Sequence, residues 1–139
     1  MTSVFADANY WIALLNPLDD LRSNVESLSP KLKGVRIVTS EMVLVEVLNG
    51  LAGKGPKLRQ AAIRLVEELR KNANVTVVPQ TREQFQNGLD FYRKLDDKAW
   101  GLTDCASILI IREHGIQDVL TYDEHFQQAG FTALLRDGK

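Results

Sequence analysis

Short apolar runs alternate with longer amphipathic segments along the whole chain, and this alternation admits few folds. The runs that we predict to be strands cover residues 4–6, 35–38, 75–78, 119–121 and 131–135. The segments between them carry apolar residues three and four positions apart, which is typical of helices that pack on one face. Because parallel strands require long crossover connections, usually helical, the pattern predicts an α/β protein with a parallel sheet covered by helices on both faces.

The predicted helices cover residues 8–15, 19–32, 41–52, 57–72 and 81–95, with a further one that begins near Asp104 and a short one after Asp123. Ser40 and Thr81 each stand where they can cap the helix that follows. Residues 105–111 are almost entirely apolar but too few to span a membrane, so they predict a helix that is buried on most sides.

The size and composition of the chain favour a single cytoplasmic domain covering residues 1–139. Its one cysteine cannot form an internal disulfide, and neither a signal peptide nor a membrane-spanning run is recognisable. A net charge of −1 and a pI near 6.1 do not indicate a protein that binds polyanions through its overall charge. Any contact with nucleic acid must therefore be local, through a basic patch or through bound cations.

Four carboxylates lie at one edge of the predicted sheet. Asp7 follows the first strand and Asp123 follows the strand 119–121, while Glu46 and Asp104 lie near the starts of two helices. Each has an ordinary explanation on its own, for example Asp7 as a helix N-cap, or Glu46 paired with a cation or reaching solvent. Ligand sites in parallel sheets form beyond the carboxyl ends of the strands, so four acids at that edge indicate a shared site.

Carboxylates placed close together are stabilised in their charged forms by a bound cation. Like charges within about 4 to 6 Å oppose ionisation, and a divalent ion removes that penalty. Ligation by oxygen atoms alone favours Mg²⁺ or Mn²⁺, and such an ion lowers the pKa of bound water and assists hydrolysis of phosphate esters. Cations would also supply the positive charge that the overall composition lacks.

The same residues resemble a known family. Asp7 in VFADANYW, Glu46 in TSEMVLVEVLNG, Asp104 in LTDCAS and Asp123 in LTYDEHF match, in order and spacing, the acidic quartet of the PIN-domain family, and most closely its VapC-like toxin ribonucleases. The resemblance extends over essentially the whole chain.

That resemblance implies a three-layer α/β/α sandwich around a parallel five-stranded sheet. In such proteins the four acids bind Mg²⁺ or Mn²⁺ and are catalytic, hydrolysing single-stranded RNA to 5′-phosphate and 3′-hydroxyl ends. It also implies a homodimer and a small antitoxin protein as partner. Asn9 and Thr121 match positions that often carry a polar residue supporting the cluster.

Other functions stay open on the sequence alone. Aspartyl-phosphate phosphatases place a second Asp two residues after the first, where this chain has Asn9, and receiver domains need an acidic pair and a later Lys that are not found as expected. A non-catalytic module that binds RNA or protein could share the fold.

Three further features have more than one interpretation. His125 is interpreted as a surface residue rather than a ligand, because the other histidine is distant in sequence. Trp100 is interpreted as a packing anchor, with stacking on a base as the alternative. The most basic stretch fits either an ordinary solvated helix face or an RNA contact; it comprises Lys54, Lys57, Arg59, Arg64, Arg70 and Lys71.

Overall fold

A five-stranded parallel sheet forms the centre of the protein. The computed structural model describes residues 1–137, apart from the side chain of Asp137. The strands are β1 (Ser3–Ala6), β2 (Arg36–Ser40), β3 (Val75–Val78), β4 (Asp118–Leu120) and β5 (Thr132–Ala133). They lie in the order β3-β2-β1-β4-β5, and all neighbours are parallel, which confirms the predicted α/β class.

Helices connect the strands. They are α1 (Ala8–Leu15), α2 (Arg22–Leu28), a 3₁₀ turn (Ser29–Leu32), α3 (Glu41–Leu51), α4 (Pro56–Lys71), α5 (Arg82–Arg93), α6 (Leu102–Glu113), α7 (Glu124–Gln128) and α8 (Leu134–Asp137). Ser40 Oγ accepts a hydrogen bond from Val43 N at 3.2 Å, and Thr81 Oγ1 accepts one from Gln84 N at 3.0 Å. Both predicted caps are therefore confirmed.

The core lies against both faces of β1 and around α6. Val4, Phe5 and Ala6 have no exposed surface, as expected for a central strand of a parallel sheet. The predicted burial of α6 is confirmed, since its apolar side chains point inward on several sides; the buried ones are Cys105, Ala106, Ile108, Ile110 and Ile111.

Two predicted elements are wrong in extent. The single helix over 19–32 is a short α2 followed by a 3₁₀ turn, because Pro30 lacks the N–H that an α-helix would need there. Its start is delayed because Asp19 Oδ1 accepts from Leu21 N at 2.9 Å and holds a turn. The terminal strand 131–135 shrinks to β5, which pairs with the three-residue β4 at only two positions before α8 begins.

The C-terminal residues and the lengths of the helices bear on two further predictions. In the charged tail predicted over 136–139, Arg136 donates to Tyr122 O at 2.7 Å, whereas Gly138 and Lys139 lie outside the described residues. Within residues 1–137, no helix combines the length and the apolar character needed to cross a bilayer.

Candidate metal and catalytic site

The predicted acids converge at the carboxyl ends of three adjacent strands. Asp7 directly follows β1, Glu46 lies on the helix after β2, and Asp123 follows β4. Asp104 reaches the same place from the first turn of α6. The structure thus brings together the four carboxylates that are far apart in sequence.

Asp7 is the buried centre of the cluster, with only 6% of its surface exposed. Its Oδ1 accepts from Ala8 N at 2.9 Å, and its Oδ2 accepts from the Thr121 hydroxyl at 2.9 Å. Burial is the main cause that raises the pKa of Asp7 from its ordinary value of 3.8 to about 7; the two hydrogen bonds lower it, and the nearby charges of Asp104 and Glu46 add smaller increases. The N-cap role and the cluster role therefore hold together at Asp7.

Thr121 links two of the acids through one hydroxyl group. While donating to Asp7, its Oγ1 accepts from the backbone N of Asp123 at 3.0 Å, and Asn9 Nδ2 lies 3.4 Å away. Asn9 Oδ1 is buried and has no hydrogen-bond partner among the described residues. Both polar residues that were expected to support the cluster thus contact it, and one of them offers an unused oxygen.

Asp104 and Glu46 differ in their surroundings. The Oδ2 of Asp104 reaches back to accept from Gly101 N at 3.2 Å, and burial followed by the charge of Asp123 raises the pKa of Asp104. Desolvation of its carboxyl group raises the pKa of Glu46 as well, with smaller contributions from the charges of Asp104 and Asp123, while a hydrogen bond from Thr103 lowers it.

Of the ordinary explanations for Glu46, the one in which it reaches solvent agrees with the structure. The residue as a whole is exposed, because α3 turns Val43, Leu44 and Val47 into the core and leaves Val45 and Glu46 facing outward. Its carboxyl group is partly desolvated only where it faces the other acids. Glu46 therefore lies at the open mouth of the site.

The interpretation of His125 as a mere surface residue is wrong. Its Nδ1 lies 2.9 Å from Asp104 Oδ2 and 3.1 Å from Asp123 Oδ1. Asp104, Asp123 and His125 each offer a ligand atom, and these atoms lie within 4.8 Å of one another. A signal was available in the sequence: Asp123 caps α7, so the residue two positions later in the first turn donates its N–H to that carboxylate, here at 2.9 Å.

Trp100 closes the side of the site next to His125. It is only 7% exposed, its Nε1–H donates to Gln128 Oε1 at 2.9 Å, and its ring centroid lies 6.4 Å from that of His125. This confirms the packing role. The burial of the indole disagrees with the alternative in which it stacks on a base.

These residues fit a divalent cation. The donor set consists of carboxylate oxygens with one imidazole nitrogen, which suits Mg²⁺, Mn²⁺ or a related ion. Burial is the main cause that raises the pKa values of three of the acids, and a dication would favour their charged forms. The unpartnered Asn9 Oδ1 beside Thr121 adds an oxygen that a coordinated water could use.

Comparisons with known proteins identify a family and similar proteins. A model of the PIN domain matches residues 4–132. The 23S rRNA-specific endonuclease VapC20 of Mycobacterium tuberculosis, in strains CDC 1551 and H37Rv, is 28% identical over 134 residues, covering 94% of this chain and 97% of the relative. The crystal structure of the same toxin, described as cleaving the sarcin-ricin loop, superimposes with a TM-score of 0.82 at 26% identity, covering 93% of this chain and 96% of the other.

Proposed function

The chain belongs to the PIN-domain family, as its sequence predicted, and from this premise we propose that it is a divalent-metal-dependent endoribonuclease. Asp7, Glu46, Asp104 and Asp123 are the proposed metal-binding and catalytic residues, and Mg²⁺ or Mn²⁺ is the proposed cofactor. The PIN-domain model covers nearly the whole chain, so we no longer consider an aspartyl-phosphate phosphatase or a receiver domain.

One observation carries the proposal most strongly: a buried aspartate, Asp7, with a pKa of about 7 beside two further acids. A fold retains such a group at a cost in stability, which is typical of functional sites. Binding a dication restores the charged form of Asp7 and lets the three acids approach one another.

The residues of the site have different proposed roles in the reaction. When bound, the ion acts as a Lewis acid and lowers the pKa of coordinated water. Asp7 and Asp104 are the proposed direct ligands, and Glu46 and Asp123 complete the site directly or through water. Thr121 fixes the separation of Asp7 and Asp123 by bonding to both. Glu46, exposed at the mouth of the site, is placed where the RNA arrives.

The substrate and partners follow from the relatives. VapC20 is named for cleavage of 23S rRNA, so we propose a structured or single-stranded RNA substrate, a role as toxin, a cytoplasmic location and a small antitoxin as partner. We also propose a homodimer. On the helix after β2, Val45 is exposed at 48% and offers apolar surface to such an interface.

The test uses purified protein with tRNA, rRNA and mRNA in Mg²⁺, Mn²⁺ or EDTA, followed by mapping of the product ends. We expect cleavage only with a dication, yielding 5′-phosphate and 3′-hydroxyl ends, and none from Asp7→Asn. Asp20→Asn is the matched control, because Asp20 is exposed in the loop after α1. Full activity of Asp7→Asn, or equal cleavage in EDTA, would contradict the assignment and favour a non-catalytic RNA- or protein-binding module.

A further inference from the structure

A single nitrogen atom, Nδ1 of His125, faces oxygen atoms of two different carboxylates. The distances are 2.9 Å to Asp104 Oδ2 and 3.1 Å to Asp123 Oδ1. An imidazole nitrogen offers either one hydrogen or one lone pair in the ring plane, so it can make only one well-aligned hydrogen bond. A single N–H shared between two acceptors makes a weaker bond to each than it would make to one well-aligned acceptor.

The ring of His125 is held in this orientation from several sides. Its own backbone N–H donates to Asp123 Oδ1 at 2.9 Å, which fixes the first turn of α7. Trp100 packs beside the ring and is itself fixed by Gln128. The side chain is 24% exposed, so water reaches the site while the Nδ1 edge stays directed at the acids.

We propose that His125 Nδ1 is a ligand of the divalent cation together with Asp104 and Asp123, and that it raises the preference of the site for Mn²⁺ over Mg²⁺. The inference rests on the proposed function and adds a nitrogen ligand to its four carboxylates. The ligand atoms of the three side chains all lie within 4.8 Å of one another, so one ion between them can reach all three.

The metal preference follows from the donor type. Mg²⁺ is a hard ion that takes oxygen ligands and water, whereas imidazole nitrogen suits the first-row transition metals. A nitrogen in the site therefore adds more to the binding of Mn²⁺ than to that of Mg²⁺. Purely carboxylate sites lack this difference.

The experiment detects the nitrogen directly. Pulsed electron paramagnetic resonance of Mn²⁺ bound to the wild-type protein should show the coupling of a coordinated imidazole ¹⁴N, and labelling histidine with ¹⁵N should change it. In His125→Gln this coupling should vanish. By titration calorimetry, the Mn²⁺ affinity of that variant should fall by about tenfold, and its Mg²⁺ affinity by a much smaller factor.

His114→Gln is the matched control, since His114 lies at the C-terminal end of α6 with its Nδ1 near Ile110 O. It should keep both the nitrogen coupling and the Mn²⁺ affinity. Bound Mn²⁺ that supports RNA cleavage but shows no nitrogen coupling would overturn this inference alone, as would equal losses of Mn²⁺ and Mg²⁺ affinity in His125→Gln. Wild-type protein that binds no dication would overturn the proposed function as well.

Discussion

Replacing Asp7 by Asn should stabilise the metal-free protein, and more so as the pH rises. Asn is close to the shape of the protonated carboxyl group, and Asp7 is buried with a pKa raised from 3.8 to about 7. Ionising it therefore costs the folded state roughly 4 kcal/mol more than the unfolded chain. Asn removes that cost.

The way in which folding stability changes with pH follows from how many protons the folded and unfolded states bind. Between pH 4 and 7 the folded state keeps the proton on Asp7 while the unfolded chain has released it, so the stability of the wild type falls with rising pH. Above pH 7 both states are ionised and the penalty is complete. Asp7→Asn should thus gain roughly 1 to 2 kcal/mol at pH 5 and up to about 4 kcal/mol at pH 8.

Urea unfolding in EDTA at pH 5, 6, 7 and 8 measures this difference, with Asp20→Asn as the control for an exposed acid. The control should track the wild type at every pH. A stability difference between Asp7→Asn and the wild type that does not grow with pH, or an Asn variant that is less stable at pH 8, would refute the argument that burial raises the pKa of Asp7.

Three further predictions concern the cation, the hydroxyl bridge and the core. Mn²⁺ at a hundred times its Kd should stabilise the wild type at pH 8 by about 2.7 kcal/mol in thermal unfolding, and should do little for Asp7→Asn. Thr121→Val removes a bond to Asp7 and one to Asp123, so it should cost about 1–3 kcal/mol and move metal binding to higher pH, whereas Thr121→Ser should keep both bonds. Phe126→Ala should cost about 3–5 kcal/mol in urea unfolding, because Phe126 has no exposed surface, and the half-exposed Phe85→Ala should cost far less.

The fold was largely predictable because its signals are local. The buried strands and the cap residues Ser40 and Thr81 each depend on a few neighbouring residues, and the order of strands and helices limits the topology. The failures also have local causes that were present in the sequence, such as Pro30 inside a helical pattern. The brevity of β5 is different, since it depends on how far β4 extends beside it.

The site was predictable only in part, because contacts between distant elements decide the environment of each acid. The positions of Asp7 and Asp123 follow from the strands that precede them, but the outward direction of Glu46 depends on which face of α3 the core takes. His125 shows the limit most clearly: the sequence places it near Asp123, whereas its second contact, with Asp104, requires α6 and α7 to meet. The contact between Asp104 and His125 forms only through tertiary packing, so no spacing in the sequence predicts it. The proposed nitrogen ligand is therefore recognised only from the three-dimensional structure.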